Sequence, residues 1–222
     1  MCMHHPELSV IPLTNHIPLS SVPHVLQKTK FHALKNAIVF FYTLFQKTEK
    51  PGGLTSNKSL KNKKIAFTGL NPHAGENGKI GNEEEYLRQL ISDLKSEITN
   101  SKSKITKIQG IKSSHASNKM FSLEGPLPAD GVFSASVRPN YSLIVTCYHD
   151  QALIPFKALY GASGINITLN LPLLRVSPDH GPAYDCAGKN NADMESVIQS
   201  LKFAFQYADK WRTIWTMQYS SQ

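Results

Sequence analysis

Histidine, acid and amide side chains occur together in residues 148–151, whose sequence is YHDQ. Lys157, Asn166 and Arg175 follow within a stretch that is otherwise apolar and dotted with glycines. Imidazole and carboxylate groups bind divalent cations, whereas ammonium and guanidinium groups bind carboxylates and phosphates. The combination predicts a site that holds an anionic substrate at a metal ion.

Three histidines share one sequence context, in which each follows an apolar strand-like segment and lies beside a turn. They are His16, His73 and His149. Imidazoles that converge from separate loops would form an open site for a borderline divalent cation, with room for a substrate oxygen. The alternative is that each imidazole only hydrogen-bonds its own loop, as histidines in proteins commonly do.

Asp130 and Asp150 are the acids placed to act with these imidazoles. A carboxylate at either position could orient an imidazole, join the metal ligands or transfer protons. Asp is also common in surface turns, and this is the alternative for Asp130. Lys157 supplies a cation on the same side of the expected sheet, with a solvated surface charge as its alternative. The catalytic candidates are therefore Asp130, Asp150 and Lys157.

The elements that must position these residues alternate between strands and helices. The patterns predict strands at residues 8–13, 64–68, 142–148 and 164–169, and a rigid turn at 125–130. They predict one long helix at 22–46 and further helices at 83–96 and 193–210. Residues 99–119 are polar and irregular. The expected fold class is α/β, in which ligands bind beyond the carboxyl ends of the strands.

The last predicted helix carries an apolar face, which indicates the side that packs on the core. Its members are Met194, Val197, Leu201, Ala204, Phe205 and Ala208.

The composition of the 222 residues argues against several protein classes. The hydrophobic fraction of 41% suits a globular protein with a core. The three cysteines have no metal-like spacing, so neither a disulfide framework nor a zinc knuckle is indicated. No apolar run approaches the ~20 residues of a membrane span. The amino terminus does not resemble a secretory signal, so we expect a cytoplasmic protein without membrane contact.

The formal net charge of +8 could attract nucleic acid or anionic metabolites. Many of the lysines lie in residues 58–64 and 102–112, beside serine and asparagine and without apolar periodicity. This pattern favours solvated loops. A nucleic-acid-binding module is the weakest hypothesis, because no aromatic residues alternate with these lysines and no recognition motif accompanies them.

Five motifs in register resemble one enzyme family, the 4-hydroxythreonine-4-phosphate dehydrogenases of pyridoxal phosphate biosynthesis. They are TGLNPHAGE at 68–76, GPLPAD at 125–130, YHDQ at 148–151 with Lys157, NITLNLP at 166–172 with Arg175, and DHG at 179–181. The resemblance runs in order from about residue 8 to residue 208.

The resemblance implies an NAD- or NADP-dependent oxidation of 4-phosphohydroxy-L-threonine, followed by decarboxylation to 3-amino-2-oxopropyl phosphate in pyridoxine 5'-phosphate (vitamin B6) biosynthesis. It also implies a homodimer with a divalent cation (zinc, magnesium or cobalt) at the subunit interface. Such an ion would ease hydride loss from the substrate's hydroxyl carbon and stabilise the charge that develops on decarboxylation.

The resemblance also implies roles for individual residues. By it, His16, His73 and His149 are the metal ligands, one of them contributed across the dimer. The residues that contact the phosphorylated amino-acid substrate would be Lys157, Asn166 and Arg175.

Residues 180–189 resemble the cofactor loop of the related isopropylmalate dehydrogenases. This resemblance makes His180 and Asp185 the cofactor-binding candidates. Two positions depart from the family's pattern, because Asn170 stands where Gly is more common and Pro182 stands where Thr is more common. Pro182 removes a backbone donor and a hydroxyl from the expected cofactor loop.

The implied fold has two α/β/α lobes, as in isocitrate and isopropylmalate dehydrogenases. We expect a metal-binding and dimerisation lobe at residues 1–140 and the carboxyl-terminal part of a cofactor and substrate lobe at 141–222. Family members carry a further amino-terminal segment before the strand at residue 8. The expectation is therefore an N-terminally truncated chain with poor stability and weak activity. The alternative is an inactive or binding-only fragment that retains the metal site.

Overall fold

The computed structural model of the chain describes residues 1–28, 31–45, 64–100, 121–181 and 184–219. Seven strands form a single mixed sheet: β1 (Cys2–His5), β2 (Leu8–Thr14), β3 (Lys64–Thr68), β4 (Ser122–Leu127), β5 (Leu143–Tyr148), β6 (Ile165–Thr168) and β7 (Arg175–Pro178). The α-helices are α1 (Val22–Gln27), α2 (Phe31–Phe45), α3 (Glu84–Asn100), α4 (Ala129–Phe133), α5 (His149–Tyr160) and α6 (Glu195–Tyr219).

The strand order in the sheet is β4-β3-β5-β2-β1-β6-β7. The first four strands of this order are parallel, β1 pairs antiparallel with β2 and with β6, and β7 pairs antiparallel with β6. Strands β2 to β6 therefore all point the same way. Their carboxyl ends lie at one side of the sheet, together with the start of β7, and we call this side the carboxyl edge.

Helices cover both faces of the sheet and divide its side chains into two cores. On one face α2, α3 and α6 pack against strand residues such as Ile11, Ile65 and Val145. On the other face α4 and α5 pack against the alternate positions, such as Val10 and Ile144. Because β5 is covered on both faces, it is a continuous buried apolar run, as is typical of parallel strands.

The predicted strands at residues 8–13, 64–68, 142–148 and 164–169 are confirmed as β2, β3, β5 and β6. The predicted helix at 83–96 is confirmed as α3 and extends to Asn100. One sheet contains strands from both sides of the boundary expected near residue 140, and the division into two lobes stays a prediction. Most of the irregular segment at 99–119 lies outside the described residues.

The prediction of one long helix at 22–46 is wrong, because α1 ends at Gln27 and α2 begins at Phe31. The two helices bury their apolar residues in different places. Val22 and Leu26 of α1 pack with Leu87 and Cys147, whereas the buried residues of α2 belong to the large core under α3 and α6. The two helices therefore serve different clusters, and apolar spacing alone does not reveal that the pattern belongs to two helices.

Three strands were not predicted, namely β1, β4 and β7. Strand β1 forms a hairpin with β2, in which Met3 pairs with Val10, and β7 pairs along β6. The predicted turn at 125–130 is also wrong, because β4 continues to Leu127 and Asp130 lies in α4. Strand β4 is an edge strand, and an edge position tolerates Pro126 because proline has no amide hydrogen for a second ladder.

The predicted inner face of α6 is wrong. Met194, Leu201 and Phe205 are 53%, 55% and 87% exposed. The buried residues are instead Ser196, Ser200, Phe203, Tyr207, Trp211 and Ile214. The helix continues past residue 210, and Trp211 fixes its orientation by packing on Phe40 and donating its indole N–H to the carbonyl of Leu171 at 3.0 Å. Within the described ranges, no helix is long and apolar enough to cross a membrane.

Candidate functional site

His16 and His149 lie side by side at the carboxyl edge. Strands β2 and β5 are adjacent, and their last residues, Thr14 and Tyr148, pair in register. His149 follows β5 directly as the first residue of α5, and His16 follows β2 by two residues. The two imidazole rings are 5.3 Å apart between centroids and are tilted by 48°.

This pair has the spacing and the chemistry of metal ligands. With Zn–N bonds of about 2.0–2.1 Å in a tetrahedral arrangement, two imidazole ligands would have ring centroids roughly 5 Å apart. Nδ1 of His149 forms a hydrogen bond with Oδ1 of Asp150 at 2.6 Å, which leaves Nε2 for a metal. A carboxylate on the far nitrogen is the usual outer partner of a metal-bound histidine.

The backbone of His16 is in the left-handed region, with φ 50°. A residue other than glycine rarely adopts this conformation, and such strain concentrates at functional sites. His73 shares this property, with φ 53°, and it lies in the turn that follows β3. Positive φ continues through this turn as far as Gly78.

His73 is exposed and does not join His16 and His149 in a group of three within the described residues. Within the described part of one chain, no group of three histidine, cysteine or acidic side chains is placed to hold a metal ion. The structure therefore brings His16 and His149 together in one chain and does not add His73 to them.

A buried carboxylate holds the left-handed turn that carries His73. Glu84, the first residue of α3, is 1% exposed. Its Oε1 accepts the backbone N–H of Asn71 at 2.7 Å, and its Oε2 accepts the side-chain amide of Asn71 at 3.0 Å. The turn closes around this side chain, since a Cβ on Gly75 would lie 2.4 Å from Oε2 of Glu84. Glu84 was not among the predicted site residues, because an acid in the first turn of a helix is common and gives no signal of its own.

The two acidic catalytic candidates, Asp150 and Asp130, have different surroundings at the carboxyl edge. Asp150 contacts His149, and its side chain is 66% exposed. Asp130 is exposed on α4, three residues beyond β4, whose last residue accepts the N–H of Gly69 at 2.7 Å. Both acids therefore belong to the carboxyl edge, and of the two only Asp150 contacts a candidate ligand.

Asn166 and Arg175 lie on the paired strands β6 and β7. Arg175 is opposite Thr168 in the ladder and donates to its hydroxyl at 2.8 Å. Asn166 lies two residues earlier on β6, and its Oδ1 is buried with no hydrogen-bond partner among the described residues. Two of the three expected substrate contacts therefore lie on adjacent strands of the sheet.

Lys157 lies away from Arg175. Its ammonium group pairs with Oδ1 of Asp179 at 3.1 Å, and Asp179 follows the last residue of β7. Because Arg175 is the first residue of the same strand, roughly 13 Å of extended chain separates it from Asp179. Asp179 was not among the predicted site residues, and its side chain is 11% exposed.

The structure describes only part of the expected cofactor loop. His180 is exposed, and its Nδ1 donates to the carbonyl of Gly181 at 3.0 Å. Pro182 and the side chain of Asp185 lie outside the described residues. Asn170 has φ 60°, and asparagine tolerates this region better than most residues. This explains how the chain accommodates Asn where the family more often has Gly.

Cys147 lies two residues before His149, but it is not an active nucleophile. The thiol is fully buried under the carboxyl edge. Burial raises the pKa of Cys147 to about 12, so the thiol stays protonated at neutral pH.

The sequence of the chain is similar to those of known proteins of one family. The family model described as "Pyridoxal phosphate biosynthetic protein PdxA" matches residues 1–204. The chain is 40% identical over 204 residues to a 4-hydroxythreonine-4-phosphate dehydrogenase of Paracoccus denitrificans, covering 91% of this chain and 53% of the relative. It is also 40% identical over 152 residues to a D-threonate 4-phosphate dehydrogenase of Bordetella bronchiseptica, covering 68% of this chain and 37% of the relative.

Solved structures give the same relationship. The 4-hydroxythreonine-4-phosphate dehydrogenase of Klebsiella pneumoniae superposes with a TM-score of 0.61 at 28% identity, covering 96% of this chain and 53% of that one. The enzyme of the same name from Burkholderia phymatum gives a TM-score of 0.58 at 28% identity, covering 93% and 53%. The chain thus spans about half the length of the curated relatives it matches.

Proposed function

Because the chain belongs to the family of the pyridoxal phosphate biosynthetic protein PdxA, we propose that it carries the metal site of a 4-hydroxythreonine-4-phosphate dehydrogenase. In this reaction a nicotinamide nucleotide, NAD or NADP, accepts a hydride from the hydroxyl-bearing carbon of 4-phosphohydroxy-L-threonine. The hydroxyl gives up its proton to a base, the carboxylate leaves as carbon dioxide, and the resulting enolate takes up a proton at carbon to give 3-amino-2-oxopropyl phosphate. The adjacent His16 and His149 at the carboxyl edge are the observation that carries the proposal.

The proposed site is shared between two copies of the chain. His16 and His149 of one copy provide two imidazoles, and His73 of the second copy provides the third. The exposure of His73, the positive φ of its backbone and the lack of a three-ligand group within the described part of one chain support this arrangement. The bound ion, for which we propose zinc, magnesium or cobalt, would polarise the substrate hydroxyl. It would also stabilise the negative charge that develops on the same oxygen during decarboxylation.

The residues of the chain have separate tasks in this proposal. Asp150 orients the imidazole of His149, and Asp130 is available at the same edge for proton transfer. Arg175 and Lys157 bind the anionic ends of the substrate, and the unpaired Oδ1 of Asn166 accepts a hydrogen bond from it. His180 and Asp185 are the proposed nucleotide contacts.

A second substrate has a specific observation in its favour. The Bordetella bronchiseptica relative is named for D-threonate 4-phosphate, and it is as similar to this chain as the Paracoccus denitrificans relative over the residues that match. Both named substrates are four-carbon acids with a 4-phosphate. A site built from metal ligands and cations suits either of them.

The test is turnover of the two substrates by the 222-residue chain with NAD or NADP and each divalent cation in turn. We expect slow formation of NADH or NADPH and slow release of carbon dioxide from 4-phosphohydroxy-L-threonine, in line with the weak activity expected of the chain. His149→Ala should abolish the reaction, whereas His24→Ala, at an exposed position of α1, should not change it. Turnover of D-threonate 4-phosphate alone would assign the second substrate. Failure of both substrates to react or to bind would overturn the proposal.

A further inference from the structure

We propose that Gln151 is a positioning residue of the shared metal sites, because it anchors, within one chain, the loop that brings His149 to one site and the loop that brings His73 to the other. Gln151 is the third residue of α5 and is half-buried. It follows His149 by two residues. The inference rests on the metal site proposed above, and it assigns to Gln151 a role that acts through the two histidines.

The side-chain amide of Gln151 makes three hydrogen bonds. Its Oε1 accepts the backbone N–H of Cys147 at 2.8 Å and the hydroxyl of Thr68 at 2.8 Å. Its Nε2 donates to the carbonyl of Gly69 at 2.8 Å. Cys147 lies on β5, two residues before His149, and Thr68 is the last residue of β3. One amide therefore connects the ends of the two strands that lead to His149 and His73.

These bonds begin where the main-chain ladder stops. Strands β3 and β5 pair in parallel from Ile65 and Leu143 up to Phe67 and Val145. Beyond these positions the chains diverge toward their loops. The amide of Gln151 then takes the place of the missing ladder partners, because it offers an acceptor to one strand and a donor to the other.

The connection extends to the third histidine through Cys147. The hydroxyl of Thr14, the last residue of β2, donates to the carbonyl of Cys147 at 2.9 Å. The peptide groups of Cys147 are thus held on one side by Gln151 and on the other by Thr14. Since His16 follows Thr14 by two residues, all three histidine loops start from strand ends that side chains tie together.

Glutamine has the chemistry that this position needs. Leucine would leave the N–H of Cys147 and the carbonyl of Gly69 without these partners, and unpaired buried polar groups are costly. Glutamate would keep the two accepted bonds but would place a carboxylate oxygen against the carbonyl of Gly69. The glutamate variant therefore separates the two halves of the network while nearly conserving size.

The experiment compares Gln151→Leu and Gln151→Glu with Gln89→Leu in the full 222-residue chain. Gln89 is exposed on α3 and donates to Asp93 at 2.7 Å, so its substitution removes a comparable bond away from the site. Zinc affinity is measured by calorimetry. We expect both Gln151 variants to bind zinc roughly 10- to 100-fold more weakly, as substitutions behind metal ligands typically do. Gln89→Leu should bind as the wild-type chain does.

A second measurement needs no metal. Nuclear magnetic resonance of the metal-free chain follows the imidazole signals of His73 and His149 and the amide exchange of Cys147. We expect both imidazoles to shift and the Cys147 amide to exchange faster in Gln151→Leu, with no change in Gln89→Leu. If Gln151→Leu does not fold, Gln151→Glu provides the comparison of the imidazole signals, while its Cys147 amide should exchange as in the wild type because glutamate keeps that acceptor.

The two measurements distinguish failure of the inference from failure of the metal site. Wild-type zinc affinity in a folded Gln151 variant would overturn the role of Gln151 and leave the metal site intact. If the wild-type chain binds no metal, the metal site fails, and unchanged His73 and His149 signals in the variants would then overturn the positioning role as well.

Discussion

The imidazole rings of His16 and His149 meet with 5.3 Å between their centroids, although distant parts of the sequence supply them. The parallel pairing of β2 with β5 causes this meeting, because it places Thr14 opposite Tyr148 at the ends of the two strands. A ligand pair formed in this way depends on the sheet register, since a slip by one residue would turn alternate side chains to the other face.

Glu84→Ala should destabilise the chain and weaken metal binding together. The substitution removes the acceptor of the Asn71 N–H, and hydrogen bonds to buried charged groups contribute about 1.5–3 kcal/mol each. We expect the free energy of unfolding in urea to fall by roughly this amount. Glu85→Ala is the control, because the side chain of Glu85 forms an exposed ion pair with Arg88. Equal urea midpoints for the two variants would contradict the assignment.

The sequence predicted the strands that carry His16 and His149 because buried parallel strands are continuous apolar runs. It did not predict β1, since Cys2–His5 contains two histidines and lacks an apolar alternation. The sequence also did not indicate that Glu84 and Gln151 position other residues. Their roles depend on partners that only the folded sheet brings near, such as Thr68 for Gln151.

The wrong inner face of α6 has a different physical cause. This helix carries two apolar stripes, one with Phe203 and Trp211 and another with Leu201 and Phe205. Helical periodicity identifies both stripes but does not say which one the sheet covers.

Phe203→Ala and Phe205→Ala should differ sharply in stability. Phe203 is 5% exposed and packs on Tyr207, whereas Phe205 is 87% exposed. Truncating a buried phenylalanine typically costs about 3–5 kcal/mol, whereas exposed substitutions change stability by about 0.5 kcal/mol or less. Urea unfolding of the two variants provides the comparison. A similar loss for both would mean that the exposed stripe is covered in solution.

His4 should make the chain less stable in acid. Burial lowers its pKa from 6.5 to about 3 in the folded chain. As the pH falls below 6.5, the unfolded chain therefore gains a proton that the folded chain does not accept. This contribution to the free energy of unfolding is present above pH 6.5 and is lost progressively down to about pH 3. The loss is on the order of 2 kcal/mol by pH 5.

His4→Gln tests this dependence. The wild-type urea midpoint should fall between pH 7 and pH 5 by more than that of the variant. His24→Gln, at an exposed position, is the matched control and should keep the wild-type pH dependence. Parallel pH profiles for wild type and His4→Gln would refute the role of His4.

The three cysteines should react with iodoacetamide in a fixed order. Burial raises the pKa of both Cys2 and Cys147 to about 12, so each is a protonated and inaccessible thiol at neutral pH. Cys186 is only half-buried. Peptide mapping should find Cys186 alkylated in the folded chain, with Cys2 and Cys147 modified only in urea. Alkylation of Cys147 at the rate of Cys186 would mean that the strand end beneath His149 opens readily.

The most direct test of a metal site shared between two copies is complementation between His73→Ala and His149→Ala chains. Each variant alone should lack high-affinity zinc sites, because every shared site would miss a ligand. After the two chains are mixed and allowed to exchange partners, half of the dimers should contain one intact site. Equilibrium dialysis should then find about a quarter of the wild-type zinc sites per chain. If the mixture binds no more zinc than the separate variants, the shared site is contradicted.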